Sequence, residues 1–147
     1  MRSRIFRLAC LVACLAMALP LFAQFGHPLK GAWSGEWWLK KGEENRILLE
    51  FTWDGKELKG MLNPGPNAAP LQKLTVQYPS DPFAKGAVSK AADPWTVRFE
   101  VDVKDQSGKT VHCVVDGKLD NLGAYQRRLY GAWTVGNQKG EFKTTLN

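Results

Sequence analysis

The sequence predicts an all-β protein, an antiparallel up-and-down barrel of eight strands. Three observations carry that expectation. Short runs alternate apolar and polar residues and recur about every ten positions. Most of these runs are joined by brief turns built on Gly, Asn, Asp or Pro. Finally, Gly31-Ala32-Trp33 on the first run is echoed by Gly131-Ala132-Trp133 near the other end of the chain, as in a sheet whose ends meet. Closing an eight-stranded meander removes both of its unpaired edges. A two-sheet sandwich is the alternative, but its long Greek-key crossings are not suggested by such local connections.

Residues 1–23 read as a secretory leader and residues 24–147 as one β-barrel domain. Arg2, Arg4 and Arg7 precede an apolar run from Leu8 to Phe22, and Ala23 offers a small residue for cleavage. The run is short for a membrane span of about 20 residues and contains Pro20. An alternative is lipid attachment at Cys14, but the apolar residues that follow it are unlike a lipoprotein tether. The mature protein is therefore expected to be exported, periplasmic or extracellular, with no transmembrane segment. Taking the three leader arginines from 20 basic residues leaves 17 against 14 acidic ones, a net charge of +3. No concentrated basic face of the kind that binds nucleic acid is visible. Only Cys113 remains of three cysteines, so no internal disulfide is expected and the core must hold the fold. The mature 124 residues suffice for one such core.

Residues 25–30 form a lead-in with Pro28. The first strand, 31–39, sets Trp33, Gly35, Trp37 and Leu39 on one face and Trp38 with Glu36 on the other. After a polar turn, the second strand, 46–53, points Ile47, Leu49, Phe51 and Trp53 inward. Asp54-Gly55 predicts a two-residue hairpin into the third strand, 57–63, where the small Gly60 permits close approach. Pro64 to Asn67 turns the chain into a fourth strand, 71–78. The longest break, Pro79 to Pro94, is a lid or portal candidate and has room for one helical turn at 83–90. The fifth strand, 95–104, alternates throughout, with Trp95, Val97, Phe99, Val101 and Val103 inward. Ser107-Gly108 leads to the sixth, 110–119, and a loop at 120–126 to the seventh, 128–135. Gly136-Asn137 leads to the last, 140–146, with Phe142 and Leu146 inward.

The glycine-x-tryptophan step Gly31-Ala32-Trp33, its echo and the eight short strands resemble the calycin group, the avidins and lipocalins. The resemblance implies a closed barrel with Trp33 plugging one end. In lipocalins an arginine late in the chain packs on that tryptophan, and Arg127 or Arg128 stands nearest that place. Ser34-Gly35-Glu36-Trp37 does not match the biotin-binding residues of avidins, so biotin is not implied. Asn63-Pro64-Gly65, Gly131-Ala132-Trp133 and Lys139-Gly140-Glu141-Phe142 also resemble small exported bacterial proteins.

The candidate ligand-binding residues are Trp37, Trp53, Trp95, Phe99 and Trp133, with Arg127, Arg128 and Tyr130 near strand ends. The rings either stack on a flat ligand or simply fill a small barrel. The two arginines either serve barrel-end hydrogen bonding or grip an anion through a planar fork. Trp38, on the outward face, is a candidate partner surface. Cys113 shares the apolar face and is expected to be a buried thiol, and His112 points away from it. No metal spacing, serine triad or phosphate loop is present, and no cofactor is expected. The leading expectation is a non-enzymatic barrel binding a small apolar or aromatic ligand. A periplasmic interaction or inhibitor module with a filled barrel is the second reading. A barrel-cavity isomerase or cyclase, which would need a carboxylate or His112 inside, is the third.

Overall fold

The computed structural model describes residues 26–77, 95–122 and 125–147. The leader with Cys14 and the Pro79–Pro94 connection lie outside the described residues. Among the described residues nine strands form one antiparallel sheet: β1 Gly31–Trp38, β2 Asn45–Trp53, β3 Leu58–Leu62, β4 Ala69–Pro70, β5 Gln72–Gln77, β6 Trp95–Lys104, β7 Thr110–Asp120, β8 Arg128–Val135 and β9 Gln138–Leu146. Their order across the sheet is β4-β3-β2-β1-β9-β8-β7-β6-β5. The first and last strands pair from Trp33 opposite Leu146 to Trp38 opposite Glu141. The result is a nearly closed barrel, and no helix occurs among the described residues.

Nine strands stand where eight are expected because a short strand, β4, precedes the one predicted over 71–78, which is β5. β4 pairs with β3, and β5 pairs with β6. The break between them falls at Leu71, whose N–H donates to the Gly60 carbonyl. Two residues on, Lys73 has φ +47° and the β5–β6 register shifts between Gln72 and Thr75. An extra residue in the left-handed region bends a strand and breaks its ladder. Asp54-Gly55 is likewise not a two-residue turn. Trp53 pairs with Leu58, leaving four connecting residues, and Asp54 Oδ1 accepts from the N–H groups of Lys56 and Glu57 at 2.8 Å each. Asp54 thus acts as an Asx cap for a longer loop. Leu39 also departs from expectation: the chain leaves the sheet at Trp38, and Leu39 is half exposed rather than inward.

The alternating faces predicted along the other strands are present. Trp33, Leu49, Phe51, Val97, Phe99, Val101, Cys113, Val115, Leu119, Leu129 and Phe142 are buried in one core. Trp33 meets Phe51 edge to face, with centroids 6.5 Å apart. Thr144, the one fully buried polar side chain among the described residues, donates its hydroxyl to the Leu129 carbonyl at 3.0 Å, so its burial leaves no unpaired group.

Large rings inside so small a barrel need space, and glycines on the inward parity provide it. A Cβ at Gly60 would strike Leu71 and crowd Phe51, one at Gly117 would crowd Leu129 and Phe142, and one at Gly140 would meet the Trp133 ring and the Trp38 carbonyl. Gly140→Ala is therefore expected to cost roughly 1–3 kcal/mol by overpacking. Gly26→Ala, whose Cβ would meet only Lys30 at an ordinary 3.6 Å, should stay within about 0.5 kcal/mol of the parent. Urea denaturation of the two variants compares them. Equal midpoints would show that the Trp133 ring shifts freely.

Candidate functional site

The lead-in residues fold back over the end of the barrel from which β1 starts. Pro28 fixes the chain there, and the Lys30 N–H closes a tight turn on the His27 carbonyl at 2.9 Å. Two side chains hold this turn from beneath. The Trp33 indole N–H donates to the Leu29 carbonyl at 2.8 Å, and Arg127 Nη1 donates to the Pro28 carbonyl at 2.8 Å. Leu29 and Trp33 are both fully buried. They plug this end of the barrel.

Outside the plug lies a groove of about 460 Å³ bounded by His27, Pro28, Trp53, Trp95, Leu122 and Arg127. Trp53 closes β2 and Trp95 opens β6, so the sheet delivers both indoles to the same rim. His27 packs on Trp53 with ring centroids 5.1 Å apart and planes tilted by 40°. Partial burial lowers the His27 pKa from its ordinary 6.5, because desolvation disfavours the imidazolium. Arg127 Nε is buried without a hydrogen-bond partner among the described residues. The groove thus combines three ring faces, an apolar side chain and a fixed cation.

The sequence-predicted residues therefore divide among several places. Trp53, Trp95 and Arg127 share this groove. Trp37 and Trp133 meet each other edge to face at 5.4 Å, further along the barrel, and Trp133 Nε1 is buried without an acceptor among the described residues. Phe99 is 2% exposed and belongs to the core. Arg128 and Tyr130 lie on the outer face, where Arg128 makes a two-pronged pair with Asp120 at 3.0 and 2.8 Å. Trp38 is on the outer face as expected, but it is half-buried and its indole N–H donates to Glu141 Oε2 at 3.2 Å. Cys113 is a buried free thiol whose pKa is pushed up by burial.

A second cluster escaped the sequence reading. On the outer face of β5–β7, His112 Nδ1 lies 2.7 Å from Asp102 Oδ1 and Nε2 lies 3.2 Å from Glu100 Oε2. Gln72 Nε2 donates to Asp102 Oδ2 at 2.9 Å, and Lys73 pairs with Glu100 at 2.8 Å. The signal was in the hairpin centred on Ser107, since its register sets Asp102 directly opposite His112. His112 and both carboxylates face outward, not into the barrel. Among the described residues no group of three or more His, Cys, Asp or Glu is arranged to hold a metal. Compared with protein-family models, curated proteins and solved structures, the chain gives no match.

The two histidines are expected to titrate in opposite directions. The hydrogen bond that His112 donates to Asp102 raises the His112 pKa above 6.5, while Asp102, bonded to His112 and Gln72, is lowered below 3.8. The stability His112 contributes is complete below 6.5 and is lost as pH rises through its raised folded value. That of Asp102 is present above 3.8 and is lost as pH falls through its lowered one. Imidazole NMR titration should give a midpoint above 6.5 for His112 and below it for His27. Asp102→Asn should bring His112 down and leave His27 unmoved. A His112 midpoint unchanged by that substitution would deny Asp102 its role.

Proposed function

We propose that the protein is an exported, non-enzymatic β-barrel that binds a small apolar or aromatic ligand at the mouth of the barrel. The observation that carries this reading is the convergence of Trp53, Trp95 and His27 on one groove beside the Arg127 guanidinium. Its volume falls in the range of small-molecule sites, about 300–1,000 Å³, and such sites combine apolar walls with few polar groups. The leader-like residues 1–23 support export.

A calycin-type barrel is part of the same reading. Counting β4 and β5 as one strand interrupted at Leu71 yields eight strands. Trp33 and Arg127, far apart in sequence, tie down the same lead-in, and this shared anchorage supports the calycin reading.

The test is titration of the mature protein with naphthalene-based fragments, neutral and carboxylated, followed through the indole N–H signals of the tryptophans. Binding should perturb Trp53 and Trp95 first. Trp53→Ala should weaken it about tenfold, the loss of roughly 1.4 kcal/mol expected when one well-placed ring contact is removed. Perturbation confined to Trp37 and Trp133 would overturn the groove in favour of the opposite end of the barrel. Absence of any binding at millimolar fragment would overturn the ligand reading itself.

A further inference from the structure

A larger groove, about 940 Å³, crosses the outer face of β7, β8, β9 and β1 and shares no residue with the mouth groove. The outward side chain at its centre is the small Ala132, between Tyr130 and Thr134 on β8, while Gly131 beside it shares the inward parity of Leu129 and Trp133. Successive ladder rungs build the walls. One rung sets Asp116, Ala132, Glu141 and Trp38 side by side, and the next sets Lys118, Tyr130, Lys143 and Glu36. Tyr130 therefore lies between two lysines whose strands are about 10 Å apart, twice the spacing of neighbouring strands.

The charges are not balanced within the groove. Five basic side chains, Lys41, Lys118, Arg128, Lys139 and Lys143, face three acidic ones. Asp116 is already paired with Arg98 at 2.7 Å and Asp120 with Arg128 at 2.8 Å, while Glu141 accepts from Trp38. Among the described residues no side-chain hydrogen bond or ion pair engages Lys118, Lys139 or Lys143. Such a surface is complementary to an anion.

We propose that this outer groove binds an acidic oligosaccharide, with sugar rings lying on Tyr130 and Trp38 and a carboxylate or sulfate held between Lys118 and Lys143. Two features choose this occupant. Ring faces with carboxylates beside them suit a ligand that has both C–H faces and hydroxyl donors. The strands beneath the groove are paired on both sides, so no edge is free to recruit an acidic peptide by strand addition.

Calorimetric titration of the mature protein with hexasaccharides of hyaluronan, heparin and polygalacturonate tests this, with chitohexaose, polyglutamate and oligo-dT as comparisons. At least one acidic hexasaccharide should bind at sub-millimolar concentration, more tightly than all three comparisons and more weakly as salt is raised. The double variant Lys118→Gln/Lys143→Gln and the single variant Tyr130→Ala should each weaken it about tenfold or more. Lys56→Gln/Lys59→Gln, on another part of the barrel, should not. All these side chains except Tyr130 are exposed, and far-UV circular dichroism checks that each variant is folded. Failure of every acidic hexasaccharide to bind at 1 mM (roughly −4 kcal/mol) would overturn the proposal. So would equal or tighter binding of polyglutamate or oligo-dT, or indifference to the Lys118/Lys143 double variant.

Discussion

Pairing of β1 with β9 is the constraint on which the rest of the barrel depends. It joins the two ends of the described chain in one ladder, from Trp33 opposite Leu146 to Trp38 opposite Glu141. Without it the sheet would split into a β1–β4 ribbon and a β5–β9 ribbon, each with an exposed edge at the point of fracture. The same ladder brings distant side chains together. Trp37 and Trp133 stand on β1 and β8 and meet across the single strand β9, and Trp38 reaches Glu141 on that strand. The N-terminal lead-in is also caught here, because Arg127 binds Pro28 while its own carbonyl accepts from the Leu146 N–H. Both candidate sites depend on this closure, one at the plugged end and one astride the β9–β1 pair.

Closure has a steric condition. Trp33, Phe51, Phe99 and Phe142 are buried among aliphatic side chains, and a small barrel has limited volume for such rings. Glycine stands at several inward positions, so that Phe51 and Leu71 occupy the space over Gly60, Phe142 that over Gly117 and Trp133 that over Gly140. Glycine lowers strand stability by entropy, and here packing of rings against bare backbone offsets that loss.

Much of this fold was legible in the sequence, because alternation reports directly on which face of a strand is buried. The strands around Trp33, Leu49, Phe99, Cys113 and Leu129 follow it, and the turns at Ser107-Gly108 and Gly136-Asn137 follow from their residue types. What was not legible is non-local or conformational. Lys73 adopts positive φ in a run that reads as a regular strand, and nothing in its residue type announces a bulge. Asp54 caps its own loop through a side chain, which lengthens a turn that Asp-Gly would otherwise make tight. Of the candidate site, Trp53, Trp95 and Arg127 were picked as residue types, but their meeting with His27 required the lead-in to fold back over the barrel end.

The chemistry of this surface is written across strands instead of along them. His112 with Asp102 and Glu100, and Tyr130 with Lys118 and Lys143, are neighbours only through register. In each case the sequence separation runs from about ten residues upward, so no motif of fixed short spacing can reveal them. A meander nevertheless makes such neighbours computable, since two positions that sum to a constant about a hairpin centre stand opposite one another. Asp102 and His112 satisfy that rule about residue 107, and Lys118 and Tyr130 about residue 124. The lack of a catalytic or metal motif in this chain is therefore weak information about its surface. Side chains held at fixed rung positions on paired strands need little reordering when a ligand arrives, which lowers the entropic cost of binding. A barrel of this kind can present binding groups on its outer wall as firmly as in its cavity.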